Sequence, residues 1–238
     1  LADNGGCAEG MGRREGIQYK DKDPDQIKPM TKGELQPDMI PRRTRDGRVV
    51  KQGTGVMTGG PDTYHGYGLA WANASNTPFR EYKHWVHEGG ISSPLIAHWP
   101  NGISKKRHGK LESQPGHLID LMATCVDLGQ ANYPEKVGNK KIVPLQGTSL
   151  APAFQGKKIG RHNPIYWEHE GNRAIRDGKW KLVAKGAKGP WELYDIKADR
   201  TELNNLAKKH PKRTNRMEKQ WDNWALAALA KPWPWGKK

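Results

Sequence analysis

The sequence is short of cysteine, of acidic residues and of long apolar runs. Its two cysteines, Cys7 and Cys125, are too few and too far apart for a disulfide framework or a metal knuckle. No stretch approaches the roughly 18 consecutive apolar residues of a bilayer-crossing helix, so the chain carries no membrane span. The start also lacks an initiator Met, a basic n-region and a signal-type apolar stretch, opening instead Leu1-Ala2-Asp3-Asn4-Gly5-Gly6. Leu1-Ala2 has the look of the last step of a buried strand cut from its beginning. The chain therefore reads as a fragment, and missing targeting signals say nothing about its compartment.

Acidic residues number 25 against 40 Lys and Arg, leaving a net charge of +15. Such a balance draws nucleic acid, anionic polysaccharide or other acidic ligands. The basic residues are spread along the chain, with small clusters at Arg42-Arg43, Lys105-Lys106-Arg107 and Lys208-Lys209, rather than gathered in one block. That spread disfavours a dedicated nucleic-acid surface.

What is present supports a folded chain. Its 238 residues are 34% hydrophobic, with ten Trp and seven Tyr; disordered chains are poor in large aromatics, and this length can bury one core plus a smaller subdomain. The segment from about Gly16 to Gly60 is polar and punctuated by Pro24, Pro29, Pro37 and Pro41, so it should be loop-rich. The apolar run Leu95 to Trp99, closed by Pro100-Asn101-Gly102, predicts a strand entering a buried sheet. His117 to Leu128, ended by Gly129, predicts an amphipathic helix whose face Leu118, Leu121, Met122, Cys125 and Val126 is packed, with a buried, inert Cys125 thiol.

A polar linker over Gln130 to Gly160 separates this part from a run of strand signals: Ile165 to Glu168, Arg173 to Arg176, Lys179 to Ala184 and Trp191 to Ile196. Asp177-Gly178 between alternating runs marks a hairpin. The closing helix places Met217, Trp221, Trp224, Ala225 and Ala228 on one core face, ended by Pro232 and Pro234 with Trp233 and Trp235 on the tail. The expected architecture is α/β: the closing part of a mixed sheet flanked by helices over residues 1–160, then a smaller antiparallel-sheet subdomain with a terminal helix over 161–238.

Two features could carry chemistry. Asp3 and Asn4 offer a carboxylate and an amide oxygen at the end of an apparent strand, before two glycines, the oxygen donors a hard cation such as Ca2+ takes. Taken alone, Asp-Asn-Gly is also a common turn. Lys83 stands a short spacer before Glu88-Gly89-Gly90, where an ammonium can reach an oxyanion as a compact point charge or lie on the surface.

The combination is more specific than its parts. Asp3-Asn4-Gly5-Gly6, Trp71-Ala72-Asn73-Ala74-Ser75-Asn76-Thr77-Pro78-Phe79-Arg80, Lys83-His84-Trp85-Val86-His87-Glu88-Gly89-Gly90 and Pro94-Leu95-Ile96-Ala97-His98-Trp99-Pro100 follow in order. Further on come Gly147-Thr148-Ser149-Leu150, Trp167-Glu168-His169-Glu170-Gly171-Asn172-Arg173 and Trp191-Glu192-Leu193-Tyr194-Asp195. This series resembles the second half of the sulfatases of the alkaline phosphatase superfamily, bacterial arylsulfatase-like members in particular.

The resemblance implies Asp3 and Asn4 as ligands of an active-site Ca2+, Lys83 as the lysine that binds the sulfate oxygens, and Glu88 as a structural member of the turn that sets that lysine. His65, His87, His169 and Asn172, polar residues on loops near these motifs, are candidate substrate contacts. In the family a formylglycine, made from the first residue of a Cys/Ser-x-Pro-x-Arg motif, supplies the nucleophile. Neither Cys7-Ala8-Glu9-Gly10 nor Cys125-Val126-Asp127-Leu128 fits that motif, so the nucleophile is expected upstream and the chain alone is expected to be inactive.

The implied substrate is an aryl sulfate or a sulfated polysaccharide, and the implied location of the parent protein is periplasmic or secreted. Three other readings stay open: a phosphonate or phosphodiester hydrolase of the same superfamily, a sulfatase-like pseudoenzyme with a degraded nucleophile motif, and a non-catalytic basic module binding anionic glycan or nucleic acid. Binding by such a module would fall steeply with salt, whereas sulfate recognition should depend on Lys83.

Overall fold

The computed structural model describes residues 4–9, 28–36, 41, 43–52, 56–64, 66 and 68–231. Its best-formed part is a four-stranded antiparallel sheet in sequential order, β3 (Ile165–His169), β4 (Asn172–Asp177), β5 (Trp180–Ala184) and β6 (Glu192–Asp195). The β3–β4 and β4–β5 connections are tight. His169 pairs with Asn172 across a Glu170-Gly171 loop, and Asp177 pairs with Trp180 across Gly178-Lys179. The second hairpin is thus one residue later than the Asp177-Gly178 turn expected from sequence. Gly178 takes φ +60° at the first loop position, the place where a two-residue hairpin of this kind wants glycine.

Both faces of the sheet are covered, which is why successive residues such as Ala174 and Ile175 or Leu182 and Val183 are all buried, although they point to opposite faces. On one face the cross-strand row Ile175, Leu182 and Leu193 packs with Met217, Trp221 and Ala225 of the terminal helix α5 (Pro211–Ala227). Trp221 is fully enclosed and its indole N–H donates to the Trp167 carbonyl at 3.0 Å. On the other face Ala174, Val183, Tyr194 and Ile196 pack with Val86. That residue belongs to the 80–91 segment, so the loop carrying Lys83 is laid directly on the sheet. The predicted stripe of α5 holds except at Ala228, which is exposed beyond the helix end; the residues after Lys231, including Trp233 and Trp235, lie outside the described residues.

The earlier part of the chain is built differently. It contains α1 (Gly68–Ser75), α2 (Glu88–Ile91), a 3-10 turn at Lys105–Arg107, α3 (Ile119–Leu128), the two-residue strands β1 (Lys136–Val137) and β2 (Lys140–Lys141), and α4 (Ala151–Phe154). The described parts of the polar segment are loop, tied by isolated bridges Arg43 to Val49 and Lys51 to Thr63.

Two expectations are overturned here. Residues 95–99 form no strand, and Leu95, Ile96 and Trp99 are 44%, 84% and 43% exposed. Their pattern is that of a buried strand, but no described strand pairs with them, and a strand without a neighbour has no ladder to join. The helix α3 is where it was predicted, but it buries a different face: Asp120, Ala123 and Thr124 point inward, while Leu118, Met122 and Cys125 are exposed.

Polar bonding explains that second reversal. The Asp120 carboxylate accepts the backbone N–H groups of His117 and Thr148 at 2.7 and 2.8 Å and pairs with Arg161. The Thr124 hydroxyl accepts the Leu150 N–H at 2.9 Å. The strap over 147–150 is thereby bound to the polar side of α3, and the Cys125 thiol, on the opposite side, is not the buried group expected from sequence.

Candidate functional site

Three segments distant in sequence meet at the edge of the sheet: residues 4–9, 76–91 and the β3–β4 hairpin. The Gly5 N–H donates to the Gly90 carbonyl at 3.0 Å, and the Lys83 N–H donates to the Gly6 carbonyl at 3.0 Å. Asn76, just past α1, joins the same knot, accepting the Gly6 N–H at 2.9 Å while its amide donates to the Glu81 carbonyl at 3.0 Å. The glycines are required by contact. A Cβ on Gly5 would stand 1.8 Å from the Gly89 oxygen, and one on Gly90 would stand 1.9 Å from the Trp85 oxygen, far inside any permitted approach.

Asn4 is exposed at the start of this knot, and Asp3 lies outside the described residues, as does His65. The Lys83 ammonium is partly exposed, and its one ion pair among the described residues is with the exposed Glu9 carboxylate at 3.4 Å. The backbone bonds of Gly5 and Gly6 bring the segment that begins at Asn4 beside the Lys83 loop. The Asn4 amide oxygen suits a hard cation, yet one described donor does not make a shell of six to eight oxygens.

The loop that carries Lys83 is held from below by a buried ionic cluster that the sequence reading did not anticipate. Lys181 of β5 is fully buried, with its ammonium 2.9 Å from Glu88 and 2.9 Å from Glu202, both buried. Glu202 also accepts the Glu88 N–H at 2.8 Å, and Arg200 reaches the second Glu88 oxygen at 3.3 Å. Burial pushes the Glu88 carboxyl up, but Lys181, with Arg176 and Arg200, outweighs it and holds the group below the usual carboxylate range.

Arg80 adds a second tie, donating to the Glu202 carbonyl at 2.9 Å and to the Tyr194 hydroxyl at 3.2 Å. A signal existed in the sequence: a lysine inside the run Trp180-Lys181-Leu182-Val183-Ala184 must find buried partners. Its partners lie 93 and 21 residues away, which no local pattern reports.

The remaining expected substrate contacts fall in two places. His87 is buried beside Glu192, its Nε2 3.5 Å from the carboxylate, a contact at the outer limit of a hydrogen bond, and its Nδ1 has no partner among the described residues. That imidazole, against the cost of burial and with help from the Tyr194 hydroxyl and Arg80, depresses Glu192 to about 2. His169 ends β3 and Asn172 begins β4, so both stand on strand ends rather than on a free loop. Asn172 is buried; its amide donates to the His84 carbonyl at 3.0 Å, and its oxygen accepts the Gly186 N–H at 2.9 Å. Asn172 thus clips the hairpin to the Lys83 loop, while His169 faces outward and meets His84 edge-on at 5.3 Å between ring centroids.

Residues 80–225 match the family described as N-sulphoglucosamine sulphohydrolase, C-terminal. The chain belongs to the sulfatase family. Among the sulfatases it resembles, an uncharacterized sulfatase of Schizosaccharomyces pombe is 33% identical over 161 residues, covering 65% of this chain and 28% of that protein. The choline-sulfatase of Rhizobium meliloti is 33% identical over 127 residues, covering 50% and 22%. The crystal structure of Ps i-CgsB in complex with k-i-k-neocarrahexaose superposes with a TM-score of 0.54 at 29% identity, covering 66% of this chain and 34% of that one. This sulfatase chain therefore spans about a quarter of the curated relatives' length. No helix among its described residues is long and apolar enough to cross a membrane.

Proposed function

We propose that this chain supplies the sulfate-binding lysine and part of the Ca2+ site of a sulfatase that hydrolyses sulfate esters through a formylglycine nucleophile encoded ahead of Leu1. The observation that carries the reading is the backbone bond from Lys83 to Gly6. It ties the lysine to the Asp3-Asn4-Gly5-Gly6 segment across nearly 80 residues of sequence, joining the two motifs whose resemblance to sulfatases implies a shared site.

In this reading the Lys83 ammonium takes the sulfate oxygens and stabilises the charge that grows on them as the ester bond breaks. Its present partner, Glu9, is exposed; such pairs are worth at most about 1 kcal/mol, so an incoming sulfate displaces it. Asp3 and Asn4 would hold Ca2+, which when bound polarises the sulfate group and orients the nucleophile. The interlocked glycines and the Glu88–Lys181–Glu202 cluster fix the loop backbone, so only the Lys83 side chain has to leave Glu9 to meet the substrate.

Sulfated polysaccharide is the favoured substrate class, supported by the +15 charge and by the likeness to a protein crystallised with k-i-k-neocarrahexaose. Such a substrate places the parent protein in the periplasm or outside the cell. The test is sulfate release from 4-nitrophenyl sulfate and from sulfated polysaccharides, measured for this 238-residue chain and for the longer product of its gene. The chain alone should be inactive and the longer product active. Turnover by the chain alone, or a longer product that cleaves phosphonate or phosphate diesters in preference to sulfates, would overturn the proposal.

A further inference from the structure

We propose that His84, His169 and Glu170 form a binding site for a divalent transition-metal ion of the zinc class, separate from the Ca2+ site. One ligand atom from each of the three side chains lies within 4.8 Å of the others. His84 Nδ1 and a Glu170 carboxylate oxygen are already 3.2 Å apart. Two ligands at about 2.0–2.1 Å around a tetrahedral ion stand about 3.3 Å apart, so this pair has the required spacing. Only His169 has to close in, and it is an exposed side chain at a strand end. Two imidazoles and one carboxylate are a donor set for Zn2+, Co2+ or Ni2+ and a poor one for Ca2+, which takes oxygen throughout.

The backbone at this place is costly, and the cost falls on two of the ligands. His84 holds φ +94° and Glu170 φ +48°, conformations that side-chain-bearing residues rarely adopt. In the hairpin loop Glu170-Gly171, the first position has positive φ and would be filled most cheaply by Asn, Asp or Gly. Glutamate there is unfavourable for the turn, and its carboxylate is brought onto the His84 ring. Positive φ is also held at Glu81 and Glu202, in the neighbouring ionic contacts; at His84 and Glu170 a binding function would account for keeping these side chains where the backbone disfavours them.

The surrounding bonds state how the site works. The Asn172 oxygen is taken by the Gly186 N–H, so its amide nitrogen faces His84, 3.0 Å from the carbonyl and 3.3 Å from Nε2. His84 Nδ1 lies 3.2 Å from the Glu170 carboxylate and Nε2 lies 3.3 Å from the Asn172 amide nitrogen. An ion bound at Nδ1 would put the ring proton on Nε2, giving up the long contact to Asn172, while the bond from the Asn172 amide to the His84 carbonyl holds the backbone that carries the ring. The cluster adjoins Lys83 in sequence and bridges the Lys83 loop to the β3–β4 hairpin, so a bound ion would cross-link the two.

The experiment is calorimetric titration of Zn2+ into the chelator-treated 238-residue protein, repeated with His169→Ala and Glu170→Gln, whose exposed positions leave the fold intact by circular dichroism. Co2+ replaces Zn2+ in a parallel titration read by its visible ligand-field bands. Each substitution should weaken Zn2+ binding at least about tenfold and remove the Co2+ bands, while Lys83→Ala and excess Ca2+ should change neither. Absence of Zn2+ binding, binding indifferent to both substitutions, or displacement by Ca2+ would overturn the site. None of these outcomes bears on whether the longer product hydrolyses sulfate esters.

Discussion

Residues 165–231 and residues 68–160 of this chain are both rich in large apolar side chains, and they use them in opposite ways. In the first, Ile175, Leu182, Leu193, Met217 and Trp221 are at most 1% exposed, enclosed between the sheet and α5. In the second, Leu69, Trp71, Ile96, Leu118 and Met122 are between 57% and 84% exposed, and the inward side of α3 is held by Asp120 and Thr124. The difference teaches that the C-terminal unit carries its own core, whereas the preceding region has apolar faces that the described residues do not cover. The candidate site lies where the two regions join, and beside the apolar packing of Val86 on the sheet the junction carries a buried ionic cluster: Lys181 and Glu202 from the C-terminal side, Glu88 from the other.

Breaking that junction should have the largest effect. Lys181→Ala leaves two buried carboxylates facing each other with only the half-exposed Arg200 still on Glu88, a loss of about 3–5 kcal/mol, to be read by chemical denaturation. The paired change Lys181→Met with Glu88→Gln should recover part of it, because fewer charges stay buried unpaired. A smaller loss, roughly 1–3 kcal/mol, is expected from Trp221→Phe, which leaves the part-buried Trp167 carbonyl without its indole donor. A result near zero would show that the C-terminal core is looser than its burial states.

Acid sharpens the comparison further. Glu192 is depressed to about 2 from 4.5, so its stabilisation is complete above about pH 4.5 and is lost as pH falls towards 2. Stability should decline across that window in the wild-type protein and decline less in Glu192→Gln. The smallest effect belongs to the uncovered region. Ile96→Ser should change the stability of this chain by no more than about 0.5 kcal/mol, measured by the same denaturation curves, although the sequence pattern marks Ile96 as a core residue.

The same contrast explains how much could be read from sequence. The four strands were legible to within a residue or two, and the terminal helix by its packed face, because the hairpins are local and their apolar rows meet cover inside the chain. The strand over 95–99 and the packed face of α3 were not, because periodicity reports that a face is apolar and not whether anything lies against it. At the candidate site, family resemblance singled out Lys83 and the Asp3-Asn4-Gly5-Gly6 segment, and the fold sets the Lys83 N–H on the Gly6 carbonyl. The Lys181 clamp and the His84–His169–Glu170 cluster were not, since each depends on residues some 20 to 90 positions apart that only the fold brings together.

The most direct test of the central claim, that Lys83 binds the sulfate group in a site shared with Asn4, is the effect of Lys83→Ala on sulfate-ester hydrolysis by the longer gene product, with thermal stability recorded alongside. Loss of kcat/KM by about a hundredfold or more with an unchanged melting temperature is the predicted result; undiminished hydrolysis by the stable variant would contradict it.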